Sequence, residues 1–266
     1  MTPASDHTTV PDHTKAPKGT QAVIRAVRLL KAVARSENGA TLTELSTFLS
    51  LSPPTTHRIL AALESEGLLT QDAGSKLYTL GASALTIGAH ALHKSDLRAL
   101  ARPMLHRLAK EGGETASLEI PVEGEMLILD EVAGSQIIGA RIEVGTRWPL
   151  YATSTGKALL ASLSEEELEL KLSKPRQRFT AATLVNTDAL RADLENARSL
   201  GYASAEGELE AGYAAVGAII CDTKSQPVGA LSLGGPIERF SASRRSELGR
   251  MIVSTAAELS NLLSSR

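Results

Sequence analysis

The chain has 266 residues, of which 42% are hydrophobic, and a formal net charge of −2, enough apolar material for a sizeable core and most simply for two domains. Its single cysteine excludes an intramolecular disulfide and a paired-cysteine metal site, which fits a reducing compartment. No stretch approaches the roughly 20 uninterrupted apolar residues of a membrane helix, and the opening lacks the apolar centre of a secretion signal, so a cytoplasmic protein is expected.

The Pro-, Thr- and His-rich segment 1–19 reads as a flexible tail in which Lys15 and Lys18 balance Asp6 and Asp12. Residues 20–95 carry seven basic and five acidic side chains, leaving +2 there and −4 on the rest. A weakly basic first segment on an acidic body is compatible with nucleic-acid binding but too common to establish it. From Thr20 a first helix places Val23, Val27, Leu30 and Ala34 on one face, with Asn38-Gly39 as its stop. Thr41-Leu42-Thr43-Glu44 has the form of a capping box and opens a short second helix. Ser52 can cap a third helix with Pro53 in its first turn, running to about Glu66 before Gly67.

In the third helix Thr56, Ile59, Leu60 and Leu63 share the face that should pack inward. Pro54, Thr55, His57, Arg58 and Ala61 then point away, and Glu64 and Glu66 lie at the far end. Hydroxyls, an imidazole and a guanidinium on one outward half suit the major groove, where Arg meets guanine edges or phosphate. Two short runs, 68–70 and 76–80, joined by Asp72-Ala73-Gly74-Ser75, read as a hairpin that would carry Lys76 beside a phosphate or the minor groove. Any one of these elements is an ordinary small-core pattern; three helices followed by a hairpin, in this order and spacing, is a winged helix-turn-helix over 20–81.

A helix over 82–95 carries Leu85, Gly88 or Ala89, and Leu92 on one stripe, which suits either a linker that meets a second copy or a helix packed on its own chain. Another helix follows from Ser95-Asp96 to Gly112-Gly113, with Pro103 either kinking it or near its start. The body over 96–266 then mixes strands with helices, an α+β pattern. Its strands are ASLEIPV, EMLILDEVA, QIIGARIEV, AAVGAIICD and PVGALSLGG; its helices are SEEELELKL, TDALRADLENARSLG and a long one over 241–263.

The segment TLTELSTFLSLSPPTTHRILAALESEGLL, with the pattern HR-x-L-x-x-L-x-x-x-G over 57–67, resembles the DNA-binding domain of the IclR family of bacterial transcription regulators. The resemblance continues through WPLYATSTGKALLA (148–161), GYASAEGELEAG (201–212) and IICDTKSQPVGALSLGGPIERF (219–240), covering about 20–263. It implies a repressor that binds double-stranded operator DNA as a homodimer or dimer of dimers. It also implies a GAF/PAS-like effector-binding domain with a curved antiparallel sheet. The N-terminus of a helix at Ser154, Thr155 and Gly156 offers free amides to a carboxylate, so small organic acids are the expected effectors. By matched position the family implies Glu208, Ile219 and Ser232 as further pocket residues. Gly234 stands where the family often has a second Ser, and Ile219 where it often has Pro or Cys; both departures leave room for a larger or more apolar ligand.

Other residues invite blander readings. Cys221 lacks a nearby His in the sequence and reads as inert. His90 and His93 read as a solvated or packed pair without a third metal ligand, and Lys157 as a contact for an anion or, more ordinarily, as a solvated first-turn lysine. No paired carboxylates, Ser-His-Asp set or cofactor fingerprint supports a metabolite-processing enzyme, and no cofactor is expected. That enzyme and a protein-interaction module on the same fold remain the competing readings.

Overall fold

The structure, a computed structural model, describes residues 19–36, 38–93, 96–135 and 144–265. The chain divides into two compact units, one up to residue 94 and one from residue 95. The tail expected over 1–19 and most of the strand expected over 136–144 lie outside the described residues, as do the side chains of His90 and His93.

In the first unit α1 (Gln21–Ala34), α2 (Leu42–Phe48) and α3 (Pro53–Ser65) precede the hairpin β1 (Leu69–Gln71) and β2 (Tyr78–Leu80) and the helix α4 (Ala82–His93). The capping box at α2 is formed: the Glu44 amide donates to Thr41 Oγ1 at 3.3 Å, and the Thr41 amide donates to Glu44 at 2.7 Å. These bonds also hold the Glu44 carboxyl below its usual range. Ser52 occupies the position before α3 but does not cap it with its side chain; its hydroxyl instead shares a 2.9 Å hydrogen bond with Thr55 Oγ1.

Leu29, Val33, Leu45, Leu60, Leu63, Leu69 and Tyr78 form the core of this unit. The inward face of α3 is the expected one, whereas that of α1 is not: Val23 and Val27 are 63% and 45% exposed while Leu29 and Val33 are buried. Apolar residues occupy more than half the circumference of α1, so two stripes satisfy helical spacing and packing against α3 selects the one centred on Leu29 and Val33.

The second unit is α+β. Its sheet is antiparallel, in the order β5 (Arg147–Pro149), β4 (Glu125–Val132), β3 (Thr115–Val122), β8 (Pro227–Pro236), β7 (Tyr213–Cys221), β6 (Ala203–Glu206). The short strands β5 and β6 went unread in the sequence. Helices α5 (Asp96–Gly112) and α9 (Ala242–Ser264) pack on β3, β4, β7 and β8 and on each other, while α6 (Ser154–Ser162) packs on β6, β7 and β8 together with α8 (Thr187–Leu200). Pro103 lies well inside α5 rather than near its start. Buried Asp130 on β4 accepts ion pairs from Arg98 and Arg102, which ties α5 to the sheet. Between α6 and α8, α7 (Glu165–Leu172) opens with its own capping box at Ser164 and Glu167.

Cross-strand register decides what α6 meets. Ser117, Ser232, Gly217 and Ala203 form one row across β3, β8, β7 and β6; Thr115, Gly234, Ala215 and Ala205 form the next. A Cβ at Gly217 would lie 2.9 Å from the Thr155 amide nitrogen and 3.0 Å from Ser154, so only glycine lets the first turn of α6 rest on β7. Replacing Gly217 with alanine is expected to cost about 1–3 kcal/mol by overpacking, read as a lower urea midpoint at unchanged slope; an unaltered midpoint would show that α6 can lift from the sheet freely.

Candidate functional site

The rows of small residues leave a cleft beside the first turn of α6. Its floor contains Glu119, Ser232 and Ala215; Ser154 and Thr155 form one side, Glu208, Leu209 and Glu210 the other, and Trp148 and Tyr213 complete the wall. Glu119 follows from strand alternation: Ala116 and Leu118 face α5, so Ser117 and Glu119 face the cleft.

Glu119 is only 6% exposed, and its carboxyl is held by neutral donors: Thr155 Oγ1 donates to Oε2 at 2.6 Å and Ser117 Oγ donates to Oε1 at 2.9 Å. Ser117 Oγ and Ser232 Oγ are 2.6 Å apart. Burial pushes the Glu119 carboxyl above its usual range, and these hydroxyls offset only part of that. Tyr213 lies over Gly234, where a Cβ would collide with the phenol. Burial, and then the charge of Glu119, pushes this phenol upward as well.

Lys157 is overturned as a solvated residue: it is 1% exposed, and its ammonium lies 2.6 Å from Glu208 Oε1 and 2.8 Å from Asp193 Oδ2. This triad joins α6 to α8 and to the loop that carries Glu208. The loop is also held by Thr183 Oγ1 donating to the Glu208 carbonyl at 2.7 Å and Thr180 Oγ1 donating to the Gly207 carbonyl at 2.6 Å. Glu208 Oε2 is buried with no hydrogen-bond partner among the described residues. Burial raises the Glu208 carboxyl despite the opposing charge of Lys157.

Of the residues expected in an effector site, Ser154, Thr155, Glu208 and Ser232 line the cleft and Gly156, Ile219 and Gly234 do not. The Gly156 amide donates to Thr153 Oγ1 at 3.2 Å, making Thr153 the cap, and its Cα packs against the backbone of Leu150. Ile219 shares the sheet face but packs with Ala158, Ala197 and Ala203 under α6. Gly234 acts through the Tyr213 ring that it accommodates. The sequence reading missed Glu119, Trp148 and Tyr213; a glutamate in the middle of an otherwise apolar strand was the available signal. Cys221 sits half-buried at the end of β7, its thiol pushed up by burial and by Asp222, the reverse of an activated nucleophile.

In the first unit, Thr56, Leu60 and Leu63 anchor α3 while Pro54, His57 and Arg58 are exposed on its opposite side. Arg58 makes no ion pair among the described residues. Thr55 is half-buried with its hydroxyl engaged by Ser52. Lys76 is exposed in the hairpin turn at φ +60°, after Asp72 has fixed that turn by accepting from the Ser75 amide at 2.7 Å. Among the described residues no group of three His, Cys, Asp or Glu side chains could hold a metal ion.

The chain matches the family model of the IclR helix-turn-helix domain over residues 22–73 and that of the bacterial transcriptional regulator IclR C-terminal domain over 89–261. The transcriptional repressor IclR of Escherichia coli is 33% identical over 242 residues, 90% of this chain and 88% of that protein. The HTH-type transcriptional regulator BhcR of Paracoccus denitrificans is 35% identical over 241 residues, 90% of this chain and 86% of its own. Among solved structures, Thermotoga maritima IclR superposes with a TM-score of 0.74 at 26% identity, covering 92% of this chain and 99% of that one. An IclR homologue of Microbacterium hydrocarbonoxydans, complexed with 4-hydroxybenzoate, gives 0.79 at 25% identity, covering 92% and 100%. Both units and the order of their elements are thus matched along nearly the whole chain, which belongs to the IclR family of bacterial transcriptional regulators.

Proposed function

We propose that the chain is a cytoplasmic transcriptional repressor that binds double-stranded operator DNA through α3 and the β1–β2 wing. The observation that carries this reading is the exposed Pro54–His57–Arg58 face on a helix anchored by its buried opposite side. The winged helix then spans 20–81, a linker helix 82–95 and the effector-binding body 96–266. A homodimer or dimer of dimers presents two copies of α3 to half-sites about one helical turn apart. Support for self-association comes from apolar side chains left uncovered in one chain, Val23 and Val27 on α1 and Leu85 and Ile87 on α4.

The effector site is the cleft beside α6, where Ser154 and Thr155 open the helix, and the ligand is an organic acid whose carboxylate faces that positive helix end. The ligand named for the Microbacterium structure, 4-hydroxybenzoate, is an acid of this kind. Effector binding alters operator affinity because both sites belong to one chain and bias its conformations. The cleft binds its ligand without catalysis.

Arg58→Ala is expected to weaken binding to DNA upstream of the protein's own gene about 5- to 150-fold, as loss of one base or phosphate contact of about 1–3 kcal/mol implies. Fluorescence anisotropy across a salt series measures this, and unchanged affinity would remove Arg58 from the interface. Thr155→Val keeps side-chain volume but deletes the donor to Glu119; it is expected to weaken effector-dependent release from DNA several-fold, and an unchanged effector response would move the site elsewhere.

A further inference from the structure

Resting on the reading of the cleft as the effector site, we propose that the effector is an organic acid that also carries a protonated nitrogen. Its N–H donors are held by Glu119, Glu208 and Ser232 while its carboxylate faces the first turn of α6.

Three observations converge on a donor-bearing ligand. The hydroxyl protons at the floor are already committed: Thr155 and Ser117 donate to the two oxygens of Glu119. Ser232 Oγ lies 2.6 Å from Ser117 Oγ and also supports the Glu119 carboxyl, so its hydroxyl belongs to the same hydrogen-bonded floor. Glu208 is 7% exposed, and its Oε2 is a buried acceptor without a hydrogen-bond partner among the described residues, a costly arrangement unless a donor arrives. Finally, among the described residues the lining holds three carboxyl groups, Glu119, Glu208 and Glu210, and no lysine or arginine, while Lys157 beneath it is committed to Glu208 and Asp193.

A nitrogen-free carboxylate entering this cleft would meet like charge with only helix amides to offset it. A zwitterion brings its own counter-charge. An ammonium beside Glu119 would offset the burial that raises its carboxyl and supply a donor to its remaining acceptor positions.

Trp148 is the only tryptophan of the chain and lines the cleft, so its emission reports occupancy without a label. The full-length protein is titrated with two pools: the common amino acids together with 4-aminobutyrate, and their nitrogen-free carboxylic acid counterparts. The expected result is a saturable change in Trp148 emission with a member of the amino-acid pool, weakened at least tenfold in Glu119→Gln and in Glu208→Gln, with the pools on the wild-type chain deciding if either variant fails to fold. A response confined to the nitrogen-free acids overturns the inference and leaves the effector cleft standing. So does an amino-acid response that both variants keep. Silence with both pools overturns it and also counts against the cleft as the effector site, while DNA binding, measured separately, tells whether the regulator reading survives.

Discussion

The organisation of the second unit depends on the close approach of α6 to the sheet at Gly217. Because no side chain stands between them, the backbone of Ser154 and Thr155 lies directly on β7. Thr155 then reaches Glu119 on β3, and Lys157, two residues further on, reaches Asp193 on α8 and Glu208 in its loop. A single backbone contact thereby sets the position of the cleft's floor, one of its sides and the loop that closes the other. Removing Lys157 would leave the buried Glu208 without its counter-charge, at a cost of about 3–5 kcal/mol. The loop carrying Glu208 and the first turn of α6 are therefore coupled electrostatically.

Burial of Glu119 works against folding. Its carboxyl binds a proton more tightly in the folded chain than in the unfolded one, so above the unfolded carboxyl's titration range this group disfavours the folded state. Neutral hydroxyls recover part of that cost, and among the described residues no cation recovers the rest. A buried carboxyl met by neutral donors on the floor of a cleft is the pattern of a functional site. The same holds for the unpartnered oxygen of Glu208.

Local chemistry made much of this architecture legible. The Thr41–Glu44 box, Pro53 at the start of α3 and Gly201 in the left-handed region at φ +77° after α8 each mark an element end in the sequence by a mechanism that the structure repeats. The buried face of α1 was not legible, because helical spacing is degenerate when apolar residues cover most of the circumference. Lys157 was misread because burial of a lysine depends on two carboxylates 36 and 51 residues away in sequence. Glu119 and Tyr213 became site residues only through register: β3 and β7 flank β8, and the pairing of Thr115 and Ala215 with Gly234 brings both side chains to one face.

The central claim is that two copies of α3 read DNA under control of the cleft. Hydroxyl-radical footprinting of the full-length protein on the DNA upstream of its own gene tests it most directly. The account predicts two protected half-sites about one helical turn apart, roughly 34–36 Å centre to centre, whose protection changes together when a ligand that alters Trp148 emission is added. Protection of a single site, or of the whole fragment without pattern, or a footprint indifferent to a ligand that demonstrably fills the cleft, would contradict it.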